Sequence, residues 1–233
     1  AVFEIAIVVR NMSMRWYLHR LIGSGASEIS RLFWLMLLVM GCRTLTAVPV
    51  VTSTPVMPPK EKAIQPFALR NVDGKIWNLD SQNSAKGFIV IFTCNHCPFA
   101  SLYPSRFNAL QAEFAPKGVA VIAINSMDSN LYEEESFEKM QAKAKTDGFT
   151  FPYLQDASQA VGKQFGAEHT PQCFVVWKEN GKWLVKYSGA IDDNGEDASS
   201  AHSFVAAAVG DLLSNKPVAQ PFTESFGCRI IYR

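Results

Sequence analysis

Two short apolar segments limit most strongly what this chain can fold into. Residues 88–92 and 119–124 contain only apolar residues, and many of these are β-branched. A strand with no polar position is buried on both faces, so further layers must cover both sides of its sheet. Between the two segments, over residues 98–114, apolar residues recur at helical spacing. The pattern therefore predicts a strand–helix–strand unit within a covered, mixed sheet.

The rest of the domain continues this alternation and ends with a hairpin and a helix. Asn180-Gly181 lies between two apolar segments and is a strong signal for a tight hairpin turn. Asp156 is expected to cap a helix that ends at Gly166. The other expected elements are strands at 67–69, 76–79, 151–154, 173–177 and 183–187, and helices at 131–145 and 201–213.

The first sixty residues have a different character. Residues 32–40 form an uninterrupted apolar run that follows Arg15, Arg20 and Arg31. A helix that spans a bilayer needs about 20 apolar residues, whereas a signal peptide has a shorter apolar region behind positive charge. The run ends at Cys42 in Val-Met-Gly-Cys, which resembles the lipobox of bacterial lipoproteins. The alternative is a buried apolar helix in which this cysteine is a small hydrophobe.

The preferred interpretation divides the chain into a leader over 1–42, a tether rich in Pro and Thr over 43–60, and a folded domain over 61–233. It predicts a protein of the bacterial cell envelope, on the periplasmic face, held at the membrane by a lipid on Cys42. The net charge is +1, which provides no basic field, so nucleic acid is not expected as a partner.

A pair of cysteines lies where the first buried strand ends. Cys94 and Cys97 are three positions apart, His96 lies between them, and Pro98 follows. At a helix start, unpaired amides and the positive end of the helix dipole stabilise a thiolate. We therefore expect Cys94 to be the nucleophile and Cys97 to close a disulfide with it. His96 is expected to lower the pKa of Cys94 further through its positive charge.

Two other interpretations of the cysteine pair stay open. Half of a zinc site would need a second pair of ligands, and Cys173 and Cys228 stand singly in the sequence. A static disulfide is the other alternative, which the position between a strand and a helix disfavours. Redox chemistry of the two thiols, without a cofactor or a bound metal, is the favoured interpretation.

The order strand, Cys-x-x-Cys and helix, followed much later by Thr170-Pro171 at a strand start, resembles the thioredoxin fold. Residues 156–171, 187–194 and 226–230 resemble its redoxin or peroxiredoxin-like (AhpC/TSA-related) branch. This resemblance implies an α/β fold of three layers, with a mixed central sheet, helices on both faces and an N-terminal hairpin. It also implies a cis bond before Pro171, against the cysteine pair, where an extended partner peptide docks by strand addition.

Together with the predicted leader, the resemblance implies an exported thiol–disulfide oxidoreductase that exchanges disulfides with the disulfides or dithiols of partner proteins through Cys94 and Cys97. A thiol-dependent peroxidase and a copper or zinc carrier are the alternatives. Peroxiredoxins have a Thr three residues before the reactive Cys, whereas Thr93 lies four residues before Cys97. This departure disfavours the peroxidase.

A second departure concerns proton transfer. Thioredoxins have a buried acid on the strand that leads to the cysteine pair, and residues 88–92 contain none. Glu168 and His169 are candidates for a general base by position alone, with a solvated loop as the alternative. Cys173 is expected to be a core residue. Cys228, in a Gly-Cys context similar to the C-terminal pattern of the family, is either part of the site or only a half-buried thiol.

Overall fold

The computed structural model describes residues 62–233. The predicted leader and tether, including Cys42, lie outside the described residues. Within 62–233, no helix has the length and apolar character that a membrane span requires. The helices are α1 (Pro104–Phe114), α2 (Phe137–Thr146), α3 (Ala160–Phe165) and α4 (Phe204–Leu213). The strands are β1 (Ala63–Ile64), β2 (Ala68–Asn71), β3 (Ile76–Asn78), β4 (Gly87–Phe92), β5 (Val119–Asn125), β6 (Tyr153–Gln155), β7 (His169–Thr170), β8 (Gln172–Glu179), β9 (Lys182–Gly189) and β10 (Cys228–Arg229).

Eight of these strands form one mixed sheet in the order β1-β9-β8-β4-β5-β6-β2-β3. Strand β4 pairs in parallel with β5 and antiparallel with β8, and all of its residues are buried. Ile89 and Ile91 belong to the core formed with α1, α2 and α4, whereas Val90 and Phe92 belong to the core that includes α3. Helices therefore cover both faces, which confirms the three-layer, thioredoxin-like α/β fold.

Both predicted hairpins are present. Strands β2 and β3 form the N-terminal hairpin, with Ala68 opposite Asn78. Strands β8 and β9 are joined through Asn180 and Gly181, whose φ angles are 51° and 75°. Positive φ at both central residues defines the type I′ turn that Asn-Gly favours, because its twist matches that of the strands it connects.

The helix predicted over 98–114 begins later than expected. Ala100–Leu102 forms only a 3-10 turn, and α1 starts at Pro104. Proline has no N–H for the carbonyl four residues earlier, and it disfavours helical geometry at the residue before it. As a result, Cys97 lies on an irregular turn rather than at the N-terminus of α1.

The C-terminal segment returns to the cysteine pair, which the sequence analysis did not predict. Strand β10 pairs antiparallel with β7 and forms a separate two-stranded sheet. Just after β10, Ile230 is buried, and its N–H donates to the carbonyl of Glu168 at 2.8 Å. This short strand therefore lies beside Thr170, the residue before Pro171.

Candidate active site

Cys94, Cys97 and the Thr170-Pro171 step meet at one point. The Cys94 Sγ lies 3.1 Å from the Thr170 Oγ1, and the Cys97 Sγ lies 3.1 Å from the Thr170 carbonyl oxygen. The peptide bond between Thr170 and Pro171 is cis, as expected. Both cysteines and Thr170 are fully buried. Strand β4 leads directly to Cys94 and β8 begins directly after Pro171, so the pairing of these strands brings the residues together.

A buried carboxylate lies beside the pair. Glu135 is 1% exposed and accepts hydrogen bonds from the backbone N–H groups of Asn95 and His96, both at 3.0 Å. Its oxygens also lie 2.5 Å from the His96 Nδ1 and 2.6 Å from the Asn125 amide nitrogen, which donates to it. A buried carboxylate is tolerated only with such partners. Glu135 thereby fixes the loop between the two cysteines.

Neither of the acid–base candidates chosen by position fills this place. The Glu168 side chain is exposed, and the His169 ring contacts Ser225, with 3.0 Å between Nδ1 and Oγ. Glu135 was missed because it follows Glu133 and Glu134, and a run of acids before a helix is typical of a solvated surface. Only its long-range contacts in the folded structure distinguish Glu135 from Glu133 and Glu134.

His96 contacts the carboxylate rather than acting as a separate positive charge for Cys94. Its ring forms the ion-pair contact with Glu135 and stacks on Tyr132, with 4.3 Å between the ring centroids. Three donors between the cysteines, the backbone N–H groups of Asn95 and His96 and the His96 ring, meet the same carboxylate, whereas the Asn95 side-chain amide donates to the Glu134 carbonyl.

The surroundings favour a thiolate on Cys97 rather than on Cys94. The hydrogen bond to Cys97, burial and the Glu135 carboxylate raise the pKa of Cys94 far above its usual range. The pKa of Cys97 is lowered to about 4, because the Cys94 thiol donates to it and because the Cys228 thiol and the Ala100 backbone add hydrogen bonds. The expected lowering of the Cys94 pKa is therefore not found, since α1 begins too late and Glu135 repels a charge there.

Three possible metal ligands also cluster here. The Cys94 Sγ, a His96 ring nitrogen and a Glu135 oxygen all lie within 4.8 Å of one another. These atom types bind zinc and copper. However, the Glu135 oxygens already accept the hydrogen bonds from Asn95, His96 and Asn125, which a metal ion would have to displace. The arrangement fits a positioned carboxylate better than a preformed metal site.

The two remaining cysteines differ from each other. Cys173 is buried in the core on β8, opposite Ile91, and burial raises its pKa. The structure thus confirms it as a core residue. Cys228 is partly exposed on β10, where it is paired with Thr170, and its thiol interacts electrostatically with Cys97. It therefore belongs to the site, one of the two alternatives left open by the sequence.

Comparisons with known proteins give the following similarities. Residues 60–189 match the model of the AhpC/TSA family. An uncharacterized conserved protein from Geobacillus kaustophilus is 34% identical, with 76% of this chain and 94% of that chain covered and a TM-score of 0.69. A hypothetical protein from Sinorhizobium meliloti 1021 is 31% identical, with 74% and 94% covered and a TM-score of 0.68. Peroxidoxin BcpB from Mycobacterium tuberculosis is 20% identical over 55% of this chain and 82% of that chain, with a TM-score of 0.46. Among proteins of curated function, none matches this chain significantly.

We expect Glu135→Gln to make the Cys94–Cys97 couple more oxidising. In the reduced protein the pair carries a negative charge on Cys97, next to the protonated Cys94, and removing the nearby carboxylate charge stabilises it, whereas the uncharged disulfide is not affected. One pKa unit corresponds to about 1.4 kcal/mol, or about 30 mV for a two-electron couple. The measurement is the reduction potential against glutathione at neutral pH.

The matched control is Glu134→Gln, because Glu134 is the exposed neighbour and only its backbone carbonyl contacts the site. We expect this variant to keep the wild-type potential to within about 10 mV, since an exposed charge is well screened. A shift of Glu135→Gln toward more reducing values, or the same shift in both variants, would contradict the assignment.

Proposed function

Because the chain belongs to the AhpC/TSA family and has its thioredoxin-like fold, we propose that it is a thiol–disulfide oxidoreductase with Cys94 and Cys97 as its redox pair. The observation that carries this proposal is that both sulfurs contact Thr170, directly before the cis bond to Pro171. Two thiols so placed, one with its pKa lowered to about 4, are suited to disulfide exchange.

In the proposed reaction, the Cys97 thiolate attacks one sulfur of a partner's disulfide. A mixed disulfide forms, and the partner's other sulfur leaves as a thiolate. Cys94 then attacks the Cys97 Sγ, which closes the Cys94–Cys97 disulfide and releases the partner's second sulfur. The partner gains two electrons, and the reverse sequence oxidises a partner's dithiol.

Glu135 is the proposed proton acceptor when Cys94 attacks. One of its oxygens lies within 4.8 Å of the Cys94 Sγ, a distance that one water or the His96 ring can bridge. The negative charge holds the proton on Cys94 in the resting dithiol, because it raises the pKa of that thiol. His96 is then a positioning residue, which holds the carboxylate through its ring and its backbone N–H.

We expect Cys94→Ser to trap partner proteins as mixed disulfides on Cys97, and Cys97→Ser to trap far fewer. The reason is that the low-pKa thiol forms the first bond and the high-pKa thiol resolves it. Both variants should carry Cys228→Ser, because the Cys228 thiol also contacts Cys97. Trapping is measured with a model protein disulfide by non-reducing electrophoresis and mass spectrometry.

Cys173→Ser is the control for this experiment, because Cys173 is buried in the core. This variant keeps both Cys94 and Cys97 and should trap nothing. Trapping by Cys97→Ser alone would return the nucleophile to Cys94, the assignment expected from the sequence. If neither the Cys94→Ser variant nor the Cys97→Ser variant traps a partner, the proposed function itself is contradicted.

A thiol-dependent peroxidase is the second candidate. The observation in its favour is that the Thr170 hydroxyl lies 3.1 Å from the Cys94 Sγ, although no Thr lies three residues before Cys94 or Cys97 in the sequence. The buried Thr93 hydroxyl also has no hydrogen-bond partner among the described residues. Consumption of hydrogen peroxide with dithiothreitol separates the two functions. A rate no higher than that of a variant without Cys94 and Cys97 eliminates the peroxidase.

We also propose that the protein is exported and lipid-anchored through Cys42, on the basis of the sequence of residues 32–42. Cys42→Ala should move the protein from the membrane fraction to the soluble fraction of a bacterium that expresses it. The prediction assumes several acyl chains, because one chain anchors a protein only marginally. Retention of the variant in the membrane fraction would contradict the lipobox assignment.

A further inference from the structure

The C-terminal strand occupies the edge beside Thr170, at which the family resemblance implies that an extended partner peptide docks. Strand β10 pairs with β7 so that Cys228 is directly opposite Thr170 and Arg229 is opposite His169. Thr170 is also the residue that both thiols of the redox pair contact. The chain therefore places one of its own cysteines where a cysteine of a docked peptide would lie.

The register directs the Cys228 side chain toward the redox pair. Directly opposed residues of an antiparallel pair have their side chains on the same face, with Cβ atoms about 5 Å apart. The Thr170 side chain contacts the Cys94 Sγ at 3.1 Å, so Cys228 shares the face that holds the redox pair. The Cys228 thiol also interacts electrostatically with Cys97, an interaction that contributes to the raised pKa of Cys228.

The segment is held in place on both sides of this cysteine. Gly227, directly before it, has a φ of 139°, and a Cβ there would overlap the Thr170 carbonyl. Only glycine permits so close an approach without strain. Directly after β10, Ile230 is buried and hydrogen-bonded to Glu168. These contacts distinguish the segment from a frayed terminus.

The three cysteines differ in their access to solvent. Cys94 and Cys97 are fully buried, whereas Cys228 is partly exposed. Burial and the contact with Cys97 raise the pKa of Cys228 to about 11. The part that comes from Cys97 disappears when Cys97 is in a disulfide, which is the state that Cys228 would attack.

We propose that Cys228 is a third redox cysteine, which exchanges with Cys97 and connects the buried pair to external dithiols. This inference rests on the proposed function of Cys94 and Cys97. The Cys228 thiolate attacks the Cys97 Sγ of the Cys94–Cys97 disulfide, so a Cys97–Cys228 bond forms and Cys94 leaves as a thiolate. Cys94 gains a proton in place of the one that Cys228 lost, and no oxidant is consumed.

An external dithiol then reduces the more accessible bond. One of its thiolates attacks the Cys228 Sγ, and Cys97 leaves as a thiolate. The second external thiol closes the external disulfide and releases Cys228. The external dithiol is oxidised by two electrons, and the protein returns to its fully reduced state.

The first test treats the full-length Cys94→Ser variant with oxidised glutathione and maps its disulfides by mass spectrometry after digestion with trypsin. We expect most molecules to contain the Cys97–Cys228 disulfide, because Cys228 displaces glutathione from Cys97. The matched control is Cys94→Ser with Cys228→Ser, which should retain glutathione on Cys97. Equal retention of glutathione in both variants would overturn the proposal.

A second pair of variants tests whether docking of β10 is required. In the Cys94→Ser background, Gly227→Ala should reduce the yield of the Cys97–Cys228 disulfide several-fold, because the added Cβ displaces the segment from Thr170. Gly210→Ala is the control, since a Cβ at that helical position meets no other atom within 4 Å. The same yield in both variants would contradict the geometry on which the proposal rests.

The connection to external dithiols is tested by the rate at which dithiothreitol reduces the Cys94–Cys97 disulfide. We expect Cys228→Ser to slow this reduction several-fold, because only the buried pair then remains to be attacked. An unchanged or faster rate would overturn the connecting role and make the segment merely a cover.

Wild-type protein separates the two proposals. If oxidised glutathione generates neither the Cys94–Cys97 nor the Cys97–Cys228 disulfide in it, the proposed function fails. If wild type forms Cys94–Cys97 but the Cys94→Ser variant does not form Cys97–Cys228, only the inference about Cys228 fails.

Discussion

The pairing of β4 with β8 is the interaction on which the site depends. Its register puts Phe92 opposite Gln172. Cys94 lies two residues after Phe92, and Thr170 lies two residues before Gln172. The paired strands therefore place these two side chains at the same edge of the sheet. A shift of one residue would turn every β4 side chain to the opposite core and separate the thiols from Thr170. Burial on both faces of the sheet excludes that shift, so the packing that stabilises the fold also sets the site geometry.

The predictable features are those whose cause is local in the sequence. Continuous apolar runs predicted β4 and β5, Asn180-Gly181 predicted its hairpin, and the family resemblance predicted the cis bond before Pro171. The position of Pro104 was also visible, but the helical spacing around it favoured an uninterrupted helix. Strand β10 is only two residues long, and so short a segment has no periodicity from which it could be predicted.

The electrostatics of the site could not be predicted, because they depend on a contact across about 40 residues of chain. His96 alone indicated a lowered pKa for Cys94, whereas the buried Glu135 that pairs with it has the opposite effect. The hydrogen bond to Cys97, burial and this carboxylate all raise the pKa of Cys94, and each of the three depends on the folded structure. The same carboxylate accepts the backbone N–H groups of the loop, so charge and loop conformation are set together.

The break before α1 has a mechanical consequence. Pro104 donates no backbone hydrogen bond to the turn that contains Ala100, so the cysteine loop is not the first turn of a rigid rod. The loop is instead held by its own short turn, in which the Ser101 N–H donates to the Cys97 carbonyl at 3.1 Å, and by the Glu135 carboxylate. The position of the sulfurs is therefore set by contacts other than those that seat α1 in the core.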